Sequence, residues 1–171
     1  MRFLMILTFL MTSLFAFGES IQSFEADFVQ TITDEEKKTL TYKGKMHSKR
    51  PDLVLWHYTE PINKKIYITK IKAIIVEPEL EQAIIKRLQG EIDFFGILAS
   101  AKAVDDTHYQ ATYKEIEFTL KEDHGVIESL SYTDQLENKV LITFTAQKQN
   151  RPLDESLFVP KIPKDFDIIK N

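Results

Sequence analysis

Hydrophobic and polar residues alternate with a period of two along most of this chain. Phe24, Ala26 and Phe28 share one parity while Glu25 and Asp27 take the other. Ile116, Phe118 and Leu120 alternate with Glu117, Thr119 and Lys121, and Val140, Ile142, Phe144 and Ala146 with Leu141, Thr143, Thr145 and Gln147. Successive side chains of a β-strand point to opposite faces, so each run predicts a strand with one face toward a core. Thr39 to His47, Ile66 to Thr69 and Ala73 to Val76 are further strands on their Thr, Tyr and β-branched content. Glu122-Asp123-His124-Gly125 and Asp134 to Asn138 read as hairpin loops. Short strands with tight connections predict one antiparallel meander curled around its apolar face.

The stretch Leu53 to Tyr58 departs from simple alternation. Val54, Trp56 and Tyr58 take one parity and Leu53, Leu55 and His57 the other, so both faces carry large hydrophobic groups. A strand with one wet face is apolar on one side only. Either this strand is sandwiched, or one of its faces lines an apolar cavity. Two segments show no clear β-pattern. Asp93 to Ala101 (DFFGILASA) is apolar, opens on a candidate Asp cap and predicts a short helix. Glu81 to Leu88 is compatible with helix or strand.

Composition narrows the setting. Met1-Arg2 followed by the largely apolar run Phe3–Phe17 and Gly18 has the form of a signal peptide, and its 15-residue run is short for a membrane span, which needs about 20. The expectation is a leader over residues 1–18 and a single exported domain over 19–171. The chain has no cysteine, so neither a disulfide nor thiol lipidation is available to it, and the mature protein is expected to be unanchored. The net charge is −4, and −5 once Arg2 leaves with the leader. That balance argues against nucleic-acid binding, which calls for a basic face.

Catalytic and metal signals are sparse. His47, His57, His108 and His124 show no ligand spacing, and the five glycines form no phosphate-binding loop. Neither a Gly-x-Ser-x-Gly elbow nor a cysteine nucleophile is present. Asp105-Asp106 and Asp165-x-Asp167 could assemble an acid/base pair of a small hydrolase, but solvated loop charges are the simpler reading. No cofactor and no enzymatic activity are expected. What remains is an apolar excess: Phe94-Phe95 beside Ile97-Leu98 is more hydrophobic than a surface helix requires. Such a helix either plugs a small barrel or forms a lid over a cavity.

Several segments in order resemble the periplasmic outer-membrane lipoprotein carrier family, LolA. These are Ser23-Phe24-x-Ala26-x-Phe28-x-Gln30, Gly44 with Lys49-Arg50-Pro51 and Trp56-x-x-x-x-Pro61, Pro78-x-x-Glu81-Gln82-Ala83, and Phe158-x-Pro160-x-x-Pro163-x-x-Phe166-Asp167. The resemblance implies a mainly β (α+β) fold, an incomplete antiparallel β-barrel curled around an apolar cavity and closed by short lid helices. It implies a periplasmic, monomeric carrier that binds the acyl chains of lipoproteins. Its partners would be an ATP-driven inner-membrane lipoprotein-releasing complex and an outer-membrane acceptor or the membrane itself. A periplasmic lipid-binding or sensing domain without transfer is the alternative. By the same resemblance Arg50 is a latch that hydrogen-bonds the lid. Phe24, Phe28, Val54, Trp56, Tyr58, Phe118 and Phe144 would face the cavity, and Phe94, Phe95 and Leu98 would cover it. Family members often carry an amphipathic helix before the opening strand, where this chain has only Glu19-Ser20-Ile21-Gln22 after the proposed leader.

Overall fold

The computed structural model describes residues 18–88 and 93–170; residues 1–17 of the proposed 1–18 leader lie outside them. In chain order the strands are β1 (Ser23–Thr33), β2 (Thr39–Lys49), β3 (Leu53–Glu60), β4 (Lys64–Ile68), β5 (Lys72–Glu77) and β6 (Gln82–Arg87). Helix α1 (Phe94–Ser100) follows, and then β7 (Lys102–Ala103), β8 (His108–Tyr113), β9 (Ile116–Asp123), β10 (Val126–Thr133), β11 (Lys139–Gln149) and β12 (Asp167–Lys170). All twelve form one sheet, ordered β12-β6-β5-β4-β3-β2-β1-β11-β10-β9-β8-β7. The sheet curls but stays open, with β12 and β7 as its edges. Every pair is antiparallel except β6–β12, where Asp167 to Lys170 run parallel to Gln82 to Ile85.

The undecided segment 81–88 is a strand. A 3-10 turn at Pro78–Leu80 ends on Glu81 in the left-handed region (φ 50°), which reverses the chain from β5 into β6. Pairing with β5 on one side and β12 on the other satisfies its backbone, and this tertiary gain outweighs helix propensity.

Two clusters lie on opposite faces of the sheet. The concave face carries the main core, in which Phe24, Phe28, Met46, Val54, Phe118, Leu120 and Phe144 from the strands meet Phe94, Phe95, Ile97 and Leu98 of α1. On the convex face of β3–β6, Leu55, Tyr67, Ile74, Val76 and Ala83 are covered by Phe158, with Leu153, Ile162 and Phe166 beside it. The C-terminal segment is tied there by Ser23 Oγ donating to the Arg151 carbonyl (2.6 Å) and by Lys49 Nζ donating to Glu155 Oε1 (2.8 Å). β3 is therefore apolar on both sides for two reasons at once. Val54 and Trp56 belong to the concave core, and Leu53 and Leu55 lie under the C-terminal segment.

One alternation ends early. The β1–β11 register runs from Asp27 opposite Thr145 to Glu25 opposite Lys148, so two residues of β11 face Ala26. This is a β-bulge, with Ala146 at φ 50° and exposed instead of continuing the inward row of Phe144. The bulge turns Gln147 so that its amide accepts from Ile127 N (3.1 Å) and donates to Ile127 O (2.9 Å).

Candidate functional site

α1 is short because Asp93 starts it and nothing extends it. Asp93 Oδ1 accepts from Phe95 N (3.1 Å), the N-cap bond expected from the sequence, and Ala101 leaves the helix in extended conformation. Its four large residues are all buried against the concave face. Phe95 (1 % exposed) and Leu98 (0 %) fill one end of the curled sheet, and Phe94 and Ile97 roof a cavity of about 590 Å³ beside it. The helix is thus a plug at one end and a roof at the other.

The cavity walls are mostly apolar. Val54, Trp56 and Tyr58 of β3, Ile66 and Ile68 of β4, and Ala73 and Ile75 of β5 form one side. Tyr113, Ile116, Leu130, Tyr132 and Ile142 form the other, with Gln30, Lys86, Lys114, Asp134, Gln135 and Leu136 also contributing. Tyr58 OH donates to Gln30 Oε1 (2.9 Å), and burial pushes both the Tyr58 and Tyr132 phenols above the usual tyrosine range. Tyr58 and Tyr132 therefore present neutral phenols to the cavity. A second cleft of about 410 Å³ shares Val54, Ile68, Tyr113 and Lys114 with the first and opens between Pro51, Asp52, Thr69, Lys70, Leu88 and Asp93.

Of the residues expected to face the cavity, Val54, Trp56 and Tyr58 line it. Phe24, Phe28, Phe118 and Phe144 occupy the same concave face but sit in the layer behind those walls. The Phe28 ring stands edge-on to Trp56 (5.0 Å) and Tyr58 (5.1 Å), Phe24 contacts Phe94 (5.1 Å) and Phe144 (5.4 Å), and Phe118 contacts Tyr132 (5.0 Å). This layer fixes the rotamers of the wall residues by close packing. Of the expected covering residues, Phe94 touches the cavity, while Phe95 and Leu98 anchor the helix. Sequence reasoning passed over Ile66, Ile68, Ile75, Tyr113, Ile116 and Tyr132 as wall residues. Ile66 and Ile68 share a parity that could have been followed, but nothing local distinguishes Tyr113 or Tyr132.

Arg50 joins three elements. Its Nε donates to the Ile21 carbonyl (2.8 Å), its Nη2 to the Gly18 carbonyl (3.1 Å), and its backbone N to the Gln22 carbonyl (2.9 Å). Its guanidinium lies over the Phe95 ring, 4.6 Å from the centroid. The hydrogen bonds thus go to the segment before β1, and α1 is held through a ring face. Gly18 itself abuts α1, because a Cβ there would come within 2.6 Å of Leu98 Cβ.

The candidate acid/base carboxylates lie apart from the cavity walls. Asp105 caps an exposed turn, accepting from Thr107 N (2.8 Å) and His108 N (2.8 Å), and these bonds with the His108 ring hold its carboxyl down at about 2. Asp165 and Asp167 are exposed on the C-terminal segment. No group of three or more His, Cys, Asp or Glu among the described residues could hold a metal.

Comparison with known proteins agrees with this architecture. Residues 19–95 match the family model described as "Outer membrane lipoprotein carrier protein LolA". The outer-membrane lipoprotein carrier protein of Wolinella succinogenes is 36% identical over 153 residues, covering 89% of this chain and 89% of the relative. The proteins of that name from Helicobacter hepaticus and Campylobacter jejuni are each 34% identical, covering 99% and 92% of this chain and 95% and 92% of theirs. Among solved structures, a conserved protein from Thermus thermophilus superposes with a TM-score of 0.56 at 10% identity, covering 89% of this chain and 92% of that one. At that identity the likeness shows a shared fold alone.

Proposed function

The chain belongs to the outer-membrane lipoprotein carrier family, LolA, and from that premise we propose that it is a periplasmic chaperone for lipoproteins. It takes up the acyl chains of lipoproteins released from the inner membrane and delivers them to the outer membrane. The observation that carries this reading is the apolar cavity of about 590 Å³ beneath α1, within the range of ligand sites. Such a protein catalyses no chemical step. Its work is to shield apolar chains and then to give them up.

Magnitudes set the design. Burying acyl chain contributes about 0.8 kcal/mol per methylene. On that scale ~25 methylenes already reach the ~20 kcal/mol ceiling of non-covalent affinity, and cargo bound so tightly would never leave. Partial burial, opposed by a stable empty state, resolves this. In this arrangement the four large apolar residues of α1 are buried and Arg50 Nε donates to the Ile21 carbonyl, a bond that the mature chain keeps. Cargo must displace some of these contacts to enter, so their re-formation drives release. Loading then needs work from outside, which we assign to an ATP-driven complex in the inner membrane. Unloading goes to an outer-membrane acceptor or to the membrane itself. Among the described residues no helix is long and apolar enough to cross a membrane.

The test is transfer. Purified protein incubated with a triacylated lipoprotein in detergent, then freed of detergent, should elute as a stable complex and pass the lipoprotein to outer-membrane vesicles. A complex that never releases its cargo would reduce the protein to an apolar-ligand binder, and absence of any complex would remove the carrier reading altogether.

A further inference from the structure

Several exposed aliphatic side chains stand at turns of this protein, and their neighbours differ in charge. Leu80 (65 % exposed) sits between Glu79 and Glu81, Val104 (63 %) precedes Asp105-Asp106, and Leu136 (78 %) lies between Gln135 and Glu137 and follows Asp134 by two. Ile71 (69 %) is different: it stands at the tip of the β4–β5 hairpin between Lys70 and Lys72. Lys72 is paired directly with Arg87 across β5–β6, and Leu88 N donates to the Ile71 carbonyl (3.0 Å), so the end of β6 is bound to the same tip. Like charges directly opposite in a sheet destabilise it. Lys70, Lys72 and Arg87 are all exposed, and none forms an ion pair with a carboxylate among the described residues. An acidic chain thus concentrates three cations around one bare aliphatic residue.

This tip borders the cavity. Lys70 and Leu88 line the cleft of about 410 Å³ that shares Val54, Ile68, Tyr113 and Lys114 with the main cavity; the carboxylates lining it, Asp52 and Asp93, are both half-buried. We propose that the Lys70-Ile71-Lys72 turn, with Arg87, is a docking element for an anionic phospholipid surface, which brings the cleft at the cavity mouth against the bilayer. Lysines flanking an aliphatic residue match an interface in which headgroup phosphates lie above acyl chains. Each cation near an anionic surface contributes about fivefold to partitioning, so three give about a hundredfold. That is a weak, reversible contact, as a shuttle between membranes needs, and it acts only within a Debye length of about 8 Å. The inference goes beyond lipoprotein carriage. It concerns the empty protein, and carriage explains only why the contact is useful.

The mature protein, without cargo, is mixed with phosphatidylglycerol–phosphatidylethanolamine vesicles or with phosphatidylcholine vesicles and sedimented. Binding to the anionic vesicles that is absent with phosphatidylcholine and lost at high salt is the expected result. Lys70→Glu/Lys72→Glu should weaken it by at least about 25-fold and Ile71→Ser by about tenfold, while Leu80→Ser and Val104→Ser leave it unchanged. No binding to anionic vesicles, equal binding to phosphatidylcholine, or full binding by the double variant would each overturn the proposal. Lys72→Glu/Arg87→Glu, at two residues outside both clefts, should weaken vesicle binding as much and still form a complex with lipoprotein in detergent, so a failure of docking is separable from a failure of carriage.

Discussion

The guanidinium of Arg50 lies over the ring of Phe95, 4.6 Å from its centroid, while its Nε and Nη2 reach the carbonyls of Ile21 and Gly18. One side chain thereby ties the N-terminal segment, the β2–β3 turn and α1 together at the plugged end of the cavity. Charge-assisted hydrogen bonds contribute about 1.5–3 kcal/mol and a cation over a ring about 0.5–2 kcal/mol. Arg50→Leu removes both while keeping an apolar side chain against Phe95. The expected variant accepts lipoprotein but fails to release it to membranes, and Arg50→Lys, which keeps charge but loses the planar fork, is intermediate. Complex formation and transfer, measured separately, check this; normal transfer by Arg50→Leu would reduce the residue to a structural tie.

Gly44 sits opposite Phe28 on one side and Tyr58 on the other, at an irregularity in the β2–β3 register. A Cβ there would lie 2.1 Å from the His57 carbonyl oxygen and 2.9 Å from the Phe28 ring. The ring can lie against bare backbone only because no side chain intervenes. Gly44→Ala should cost at least about 3 kcal/mol, above the usual range for a single substitution. Denaturant unfolding reads this directly, with an unchanged midpoint as the contrary result.

Much of this architecture was legible in the chain. Period-two alternation located the strands of the concave core, and the absence of alternation with an Asp cap located α1, because burial of one face is what enforces both patterns. The two apolar faces of β3 announced an unusual environment without saying what covered each. The covering segment, residues 151–166, shows no strand alternation and Pro152, Pro160 and Pro163 bar a continuous helix, so Phe158, Ile162 and Phe166 dock as separate anchors. The bulge at Ala146 depends on pairing partners more than a hundred residues away. Arg50 was prominent as a residue type, yet its partners are backbone carbonyls, which carry no side-chain signature.

His57 lies on the convex face beside Lys65, and its imidazole is held below the ordinary value of 6.5, first by burial and then by that lysine, with His47 and Lys45 adding to it. The unfolded chain therefore binds a proton more readily than the folded one as pH falls through about 6.5. Stability from this site is complete above that pH and erodes on acidification. His57→Gln should flatten the fall in stability between about pH 7 and pH 5. The carboxylate Glu25, lowered chiefly by its hydrogen bond from Lys148, acts only in a more acidic window and leaves the comparison clean. An unchanged slope in the variant would assign the acid limb elsewhere.

If residues 1–18 are removed on export, the mature chain begins at Glu19 and Gly18 no longer offers its carbonyl to Arg50. Intact mass of the protein recovered from the periplasmic fraction fixes the start. A first residue at Glu19 leaves Ile21 as the acceptor, and a start before Gly18 retains both bonds.

The most direct test of acyl-chain binding uses the two faces of the sheet. Trp56 lines the cavity, and Leu141 stands 43% exposed on the opposite parity from Ile142, a wall residue. A photo-reactive aromatic amino acid is placed at 56 or at 141, and the protein is loaded with a triacylated lipoprotein and irradiated. Cross-linking to the acyl chains from position 56 and none from position 141 is the predicted result. Cross-linking from 141 in preference to 56, with a complex confirmed in both cases, would place the cargo outside the cavity and contradict the account.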